Sequence, residues 1–153
     1  MPRFETRRRV PYSARQMFDL VADVERYPEF LPLCETLRVR SRESKNGHDV
    51  LVADMEVGYG AIRERFTSRV ALDPARSSIL VNYIDGPFKR LENRWNFIDA
   101  ADGGSDVVFL IDYEFKSIVL QMLMGGLFDT AFRKFTDAFE VRARRIYGQV
   151  RTA

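Results

Sequence analysis

The chain has 153 residues, of which 46% are hydrophobic and 30% are charged. This balance is typical of one folded domain, and we treat residues 1–153 as a single domain. The formal net charge of +2 is too small to predict a DNA-binding protein. With one cysteine and one histidine, the sequence offers neither an internal disulfide nor a His/Cys metal site.

The N-terminal part predicts a strand followed by a short helix. The strand is expected over residues 3–10. Ser13 and Gln16 have the spacing of a capping box, in which each side chain bonds the backbone of the other residue. Apolar residues then recur at helical spacing from Met17 to Val24, which predicts a helix that begins just after Ser13.

Residues 27–34 form an apolar segment that contains two prolines, Tyr-Pro-Glu-Phe-Leu-Pro-Leu-Cys. Pro28 and Pro32 lack a backbone donor, and each pushes the preceding residue out of the helical region. The segment is therefore expected to be stiff and bent. Phe30 and Leu31 then form either one lip of a pocket or a helix end that caps the core, and the segment alone favours the second interpretation.

A series of strands follows this segment. Asn46-Gly47 is the strongest short hairpin signal, and Asp85-Gly86 and Asp102-Gly103 are further turn sequences. Residues 62–72 alternate between a mainly apolar face, which also holds Glu64 and Ser68, and a face rich in arginine. Such alternation predicts a strand with one face in water. The six predicted strands are 37–44, 48–57, 62–72, 78–84, 90–98 and 105–115.

The chain closes with a long helix, predicted over residues 117–147. Its second part is amphipathic, whereas residues 118–127 are apolar nearly all round. That stretch is shorter than the roughly 20 residues that cross a membrane. The first strand and the six later strands predict one antiparallel sheet with the long helix on one face. The space between the two is either filled by side chains or left as a cavity.

Few residues suggest catalysis. The single histidine, His48, follows the Asn46-Gly47 turn and is far in strand order from Cys34, so no nucleophile–base pair is expected. Glu64 and Asp112 remain as inward carboxylates, which are more often ion-paired than catalytic. We therefore predict no catalytic residue and no metal site.

Several motifs follow one another along the chain. They are Met-Phe-Asp-Leu-Val-Ala-Asp-Val at 17–24, the segment 27–34, Asp-Gly-Pro-Phe-Lys at 85–89 with Trp-Asn-Phe at 95–97, and Asp-Tyr-Glu-Phe-Lys-Ser at 112–117. In this order, over about residues 3–148, the chain resembles the coenzyme Q-binding START-domain family. That family belongs to the polyketide cyclase/dehydrase and lipid-transport superfamily and includes bacterial ribosome-association-toxin relatives. Leu33 stands where its members often carry an aromatic residue.

The resemblance implies an α+β, helix-grip fold, shared with START domains and birch-pollen-allergen-like proteins. In this fold a curved antiparallel sheet of about seven strands wraps around the long C-terminal helix. It also implies a bacterial lipid chaperone that binds ubiquinone or a related isoprenoid lipid and supports respiratory electron transport. Ubiquinone would be a bound ligand, and no cofactor is required. One alternative is the toxin of a toxin–antitoxin pair, which binds the large ribosomal subunit and blocks subunit joining. An aromatase or cyclase is a weaker alternative.

The expected ligand-binding residues are apolar or aromatic, because an isoprenoid tail needs an apolar cavity. Four residues are candidates for contact with a polar head group: Tyr59, Tyr83, Asn93 and Tyr113. The predicted cavity residues are Phe30, Leu31, Met55, Val57, Ile62, Phe66, Tyr83, Trp95, Phe97, Phe109, Tyr113, Phe128, Phe132 and Phe135.

The apolar stretch 118–127 predicts contact with a membrane surface, with Leu123 and Leu127 as docking residues. No signal-peptide-like region is evident at the N-terminus. We therefore expect a cytoplasmic protein that is peripheral to the bacterial inner membrane.

Overall fold

The computed structural model of the protein describes residues 3–59 and 61–148. Seven antiparallel strands form one sheet in the order β1-β7-β6-β5-β4-β3-β2. Apart from β1 pairing with β7, each strand neighbours the one that precedes or follows it in the chain. The strands are β1 Arg3–Val10, β2 Cys34–Lys45, β3 His48–Tyr59, β4 Ile62–Asp73, β5 Ser78–Asp85, β6 Phe88–Asp99 and β7 Ser105–Phe115.

Two short helical elements connect the edge strands β1 and β2. Helix α1, Ala14–Ala22, begins with the predicted capping box, since Ser13 and Gln16 bond each other's backbone. A 3-10 helix, Val24–Glu29, follows and contains Pro28. The predicted helix thus ends two residues before Val24, where the chain tightens into the 3-10 turn.

The long helix α2, Ile118–Tyr147, lies across the inner face of the curved sheet. Its N-cap is Ser117, whose hydroxyl accepts a hydrogen bond from the amide of Leu120, 3.1 Å away. The far end is fixed to α1, because the Tyr147 hydroxyl donates to the carbonyl of Gln16 at 2.9 Å. The predicted α+β architecture is confirmed, with one antiparallel sheet and one long helix.

The strands extend slightly further than the sequence predicts. Strand β2 begins at Cys34 because Cys34 pairs with Val57, and the amide of Gly58 donates to the carbonyl of Leu33 at 3.0 Å. Strand β6 begins at Phe88, which pairs with the last residue of β7. The extra residues matter because they bring the segment 27–34 against the end of β3.

An aromatic cluster fills the core between β6, β7 and the C-terminal half of α2. The ring of Trp95 lies 4.7 Å from that of Phe109 and 5.1 Å from that of Phe139. Phe97 stacks on Trp95 at 6.1 Å. All four side chains are almost fully buried. This end of the molecule is therefore packed solid, and open space lies elsewhere.

Candidate functional site

An apolar cavity lies between the inner face of the sheet and α2. The volume of this cavity is about 110 Å³. Its walls come from all strands except β1, from α2 and from the segment that precedes β2. The sheet contributes Leu37, Ala53, Met55, Val57, Phe66, Ser68, Val70, Val81, Phe88, Leu91, Asn93 and Ile111. The remaining lining residues are Val24, Pro32, Leu33, Phe128, Ala131, Phe132 and Phe135.

Only two of these lining side chains are polar. Asn93 is already engaged, since its Nδ2 donates to the carbonyl of Leu110 and its Oδ1 accepts from Trp95 Nε1, both at 2.9 Å. Ser68 is 6% exposed, and its Oγ has no hydrogen-bond partner among residues 3–59 and 61–148. The cavity is therefore a carbon-lined space with one unpartnered hydroxyl.

The segment 27–34 closes one end of the cavity and also covers the core. Leu33 lines the cavity with a positive φ of 68°, which turns the chain into β2. Leu31 is 5% exposed and belongs to the core. Phe30 packs on Phe139, with ring centroids 5.2 Å apart, and lies under the guanidinium of Arg142 at 5.1 Å. Both interpretations of the segment thus describe part of it.

The structure brings six of the predicted ligand-binding residues to the cavity wall. Their role in binding stays a prediction. The six are Met55, Val57, Phe66, Phe128, Phe132 and Phe135.

Other predicted residues lie outside the cavity wall. Trp95, Phe97, Phe109 and Tyr113 are in the packed core. Rings of α2 pack on three of them, since Phe139 contacts Trp95, Phe135 contacts Phe109 and Phe132 contacts Tyr113. Tyr83 packs on Phe88 and accepts a hydrogen bond from its amide at 3.1 Å. Phe30 and Leu31 belong to the closing segment 27–34, but their side chains do not line the cavity. The side chains of Ile62 and Tyr59 lie outside the described residues.

Sequence reasoning missed Ser68 as a site residue, although it placed this side chain on the inward face of β4. It also missed the small residues Ala53 and Ala131, which leave the space open. The available signal was a polar residue at an inward position of a mainly apolar strand face.

The titratable groups in the described part of the chain do not form an acid–base pair at the cavity. Burial raises the pKa of the Cys34 thiol to about 12, and it raises the pKa of Tyr113 to about 12 as well. His48 lies 3.7 Å from Asp73, beside the β2–β3 turn. Asp112 is on the outer face of β7, 2.9 Å from Arg90, so it does not point inward as predicted. Within the described ranges, no three His, Cys, Asp or Glu residues are grouped to hold a metal ion.

The beginning of α2 exposes several apolar side chains. Ile118 is 80% exposed, Met122 is 79% exposed and Leu123 is 63% exposed, with Val119 beside them. Leu127, the other predicted docking residue, is half-buried. No helix in the described part of the chain is both long and apolar enough to span a membrane.

Comparisons with known proteins agree with this architecture. The family described as "Polyketide cyclase / dehydrase and lipid transport" matches residues 10–140. "Ribosome association toxin RatA" of Escherichia coli K12 is 37% identical over 147 residues, which cover 96% of this chain and 90% of that protein. "Coenzyme Q-binding protein COQ10 homolog B, mitochondrial" of Xenopus laevis is 35% identical over 141 residues, covering 90% of this chain and 56% of that protein.

A solved START superfamily protein from Mycobacterium smegmatis superposes with a TM-score of 0.79 at 19% identity, covering 94% of this chain and 98% of that one. This likeness confirms the predicted helix-grip fold. Because the family match extends over most of the chain, the chain belongs to the polyketide cyclase/dehydrase and lipid transport family.

Proposed function

We propose that this protein binds ubiquinone or a related isoprenoid lipid in its cavity and acts as a lipid chaperone that supports respiratory electron transport. The observation that carries the proposal is the cavity itself, whose lining is carbon except at Ser68 and Asn93. Burial of each CH₂ of a lipid tail in such a space is worth about 0.8 kcal/mol. The relative named as a coenzyme Q-binding protein supports the same ligand class.

The volume of the cavity limits how much of a lipid it holds at rest. Sites for drug-sized ligands usually measure roughly 300–1,000 Å³. The space of about 110 Å³ accommodates a ring or a short length of chain. Met55, Phe66 and Phe135 line the cavity but are only half-buried, so they mark where it approaches the surface. We expect these side chains to move aside for a longer tail, and the flexible thioether of Met55 does so most readily.

The test is to purify the protein from a host that makes quinones, extract it with organic solvent and analyse the extract by mass spectrometry. We expect an isoprenoid quinone in stoichiometric amount, and saturable binding when a short-chain ubiquinone is added to delipidated protein. The Phe132→Asp variant should lose this binding, because it places an unpaired charge in an apolar space. Circular dichroism must show that the variant is folded. An extract without lipid and a flat titration would contradict the proposal.

We propose that binding involves no chemical step and no required cofactor. Polyketide cyclases in the same family give a reason to test this point. A cyclase needs an acid or base beside its substrate. Among the described lining residues are a serine and an amide that is already hydrogen-bonded, and none of them is a carboxylate, histidine or cysteine. We expect the quinone to be recovered chemically unchanged after prolonged incubation with the protein.

Contact with a membrane surface is the second part of the proposal. The apolar turn Ile118–Leu123 projects side chains into solvent, and Lys116 lies just before it. A cation near an anionic bilayer adds roughly 1 kcal/mol of attraction. We expect weak liposome flotation that increases with anionic lipid and decreases with salt.

The matched variants for this test are Leu123→Ser and Val141→Ser, because both residues are on α2 and more than half exposed. The two positions are about 27 Å apart along the helix. Only Leu123→Ser should reduce flotation. Equal flotation of both variants, or none for the wild type at low salt, would refute docking through this turn.

Association with the large ribosomal subunit is a second candidate function. It is favoured by the relative named a ribosome association toxin, which matches over 90% of its length. Most surface arginines are ion-paired, as in Arg40 with Asp54 and Arg65 with Glu56. Within the described part of the chain, Arg38 and Arg69 have no such carboxylate, so they are available for phosphate contacts.

Co-sedimentation with purified large subunits tests this candidate. Binding that the Arg38→Gln/Arg69→Gln variant weakens would support it. If wild-type protein stays in the supernatant at low salt, the ribosomal function is excluded.

A further inference from the structure

The hydroxyl of Ser68 is the one polar group of the cavity lining that no described residue satisfies. It is buried, and its Oγ has no partner among residues 3–59 and 61–148. Buried hydroxyls are nearly always hydrogen-bonded, so an unpartnered one calls for a physical reason. The other polar lining residue, Asn93, already uses its amide on Leu110 and Trp95.

A β-bulge lies at this position in the sheet. Between β4 and β5 the register shifts, so that Thr67 faces Asp85 while Ser68 faces Tyr83. Bulges re-aim side chains and are common beside binding sites. The neighbouring hydroxyl, Thr67 Oγ1, donates to Asp54 at 2.5 Å. The hydroxyl of Thr67 is thus bonded to a carboxylate, whereas that of Ser68 is directed into the cavity without a described partner.

The surroundings of Ser68 define what kind of group it can bind. Ala53 faces it on β3, and Val70 follows it on the same side of β4. Neither side chain offers a hydrogen-bonding atom, and the hydroxyl of Tyr83, which faces Ser68 on β5, accepts a hydrogen bond from the amide of Phe88 instead. A ligand that satisfies Ser68 therefore needs an oxygen on an otherwise apolar framework. A hydroxyl donates to a ketone or quinone oxygen, and it can also accept from the hydroxyl that reduction of a quinone produces.

We propose that Ser68 is the head-group contact of this site, donating a hydrogen bond from Oγ to a ring carbonyl oxygen of the bound lipid. The inference rests on the proposed lipid-binding function and adds to it the residue and the atom that recognise the head group. It also assigns the ligand class, which is an apolar molecule with a carbonyl-bearing ring rather than a pure hydrocarbon.

The test uses two probes of similar size on delipidated protein, a short-chain ubiquinone and an isoprenyl-substituted benzene without oxygen. Binding is followed by the fluorescence of Trp95, the only tryptophan. Ser68→Ala should weaken quinone binding roughly tenfold, as expected for loss of one buried hydrogen bond. It should change hydrocarbon binding less than twofold. Its melting temperature without ligand should not fall, because the variant removes an unpartnered hydroxyl.

Ser105→Ala is the matched control. Ser105 is buried too, and its Oγ has no partner among the described residues, but it does not line the cavity. This variant should bind both probes as the wild type does. A second measurement needs no variant. The infrared carbonyl stretch of the bound quinone should lie at lower wavenumber in wild-type protein than in alkane solvent.

The outcomes separate this inference from the proposed function. If wild-type protein binds neither probe, lipid binding itself fails and the role of Ser68 fails with it. If the wild-type protein binds the quinone and the Ser68→Ala variant binds it equally well, the head-group contact is refuted while lipid binding stands. The same conclusion follows if the variant loses affinity for both probes equally. An unshifted carbonyl stretch refutes it too.

Discussion

Filling the cavity should stabilise the protein and exclude its ligand. Ala131 is the position for this change, since it lies on α2, lines the cavity and is 4% exposed. Ala131→Leu adds three carbons that point toward the sheet. Both residues favour helix, so the backbone of α2 is not expected to change.

The magnitude follows from the size of the cavity. At about 24 cal/mol per Å³, an empty space of about 110 Å³ costs the folded protein roughly 2.6 kcal/mol. Burying three additional carbons is worth about 2.4 kcal/mol at most, and fixing the leucine side chain costs about 0.5–1 kcal/mol. The expected net gain is therefore about 1–2 kcal/mol. For a domain of this size that gain raises the melting temperature by roughly 2–8 °C.

The assay is thermal unfolding of delipidated protein together with a quinone titration. Ala143→Leu is the control, because Ala143 is 0% exposed on the same helix but does not line the cavity. Overpacking there should destabilise the protein by about 1–3 kcal/mol. The two substitutions should thus have opposite signs. A destabilised Ala131→Leu protein that still binds quinone normally would refute both the cavity and its role.

Three further predictions concern stability. Gly86→Ala should destabilise the protein by about 1–3 kcal/mol in urea unfolding, because φ is +143° and a Cβ would lie 2.6 Å from a neighbouring atom; an unchanged midpoint would contradict this. Arg142→Met should cost about 1–2 kcal/mol by removing the bond to Glu29 at 2.8 Å and the guanidinium–ring contact, and Arg142→Lys should recover only part. Burial raises the pKa of Cys34 and of Tyr113 to about 12 in the folded protein. The folded state is therefore fully favoured while both groups are neutral in the unfolded chain, and it loses stability as pH rises above their pKa values in the unfolded chain. Urea unfolding should therefore show a free energy that declines from about pH 9 upward, and a constant value to pH 11 would refute the assignment.

The strands and helices could be predicted because their signals are local. The inward and outward alternation of β7 gave its bounds, and the Ser13 capping box located the start of α1. The Asn-Gly sequence located the β2–β3 hairpin, and both residues do have positive φ in the turn. The start of β2 could not be predicted, since it depends on the pairing of Cys34 with Val57, which local sequence does not specify.

The identity of the cavity residues was harder to predict, because an inward aromatic side chain looks the same whether it packs or lines a space. Trp95 and Phe109 alternate as regularly as Phe66 does. What separates them is the position of α2, which places the large ring of Phe139 over Trp95. It places the methyl group of Ala131 over the other half of the sheet.

The cavity exists where small residues of the sheet meet a small residue of the helix. Ala53 and Ser68 are paired across β3 and β4, and Ala131 contributes from α2. Three short side chains in one place remove the partner atoms that would otherwise fill the interior to its usual density. One of the three is a serine, so the open space coincides with the one lining hydroxyl that no described residue satisfies. A packing defect alone would explain the two alanines, whereas the proposed head-group contact also accounts for a hydroxyl that lies at the open space.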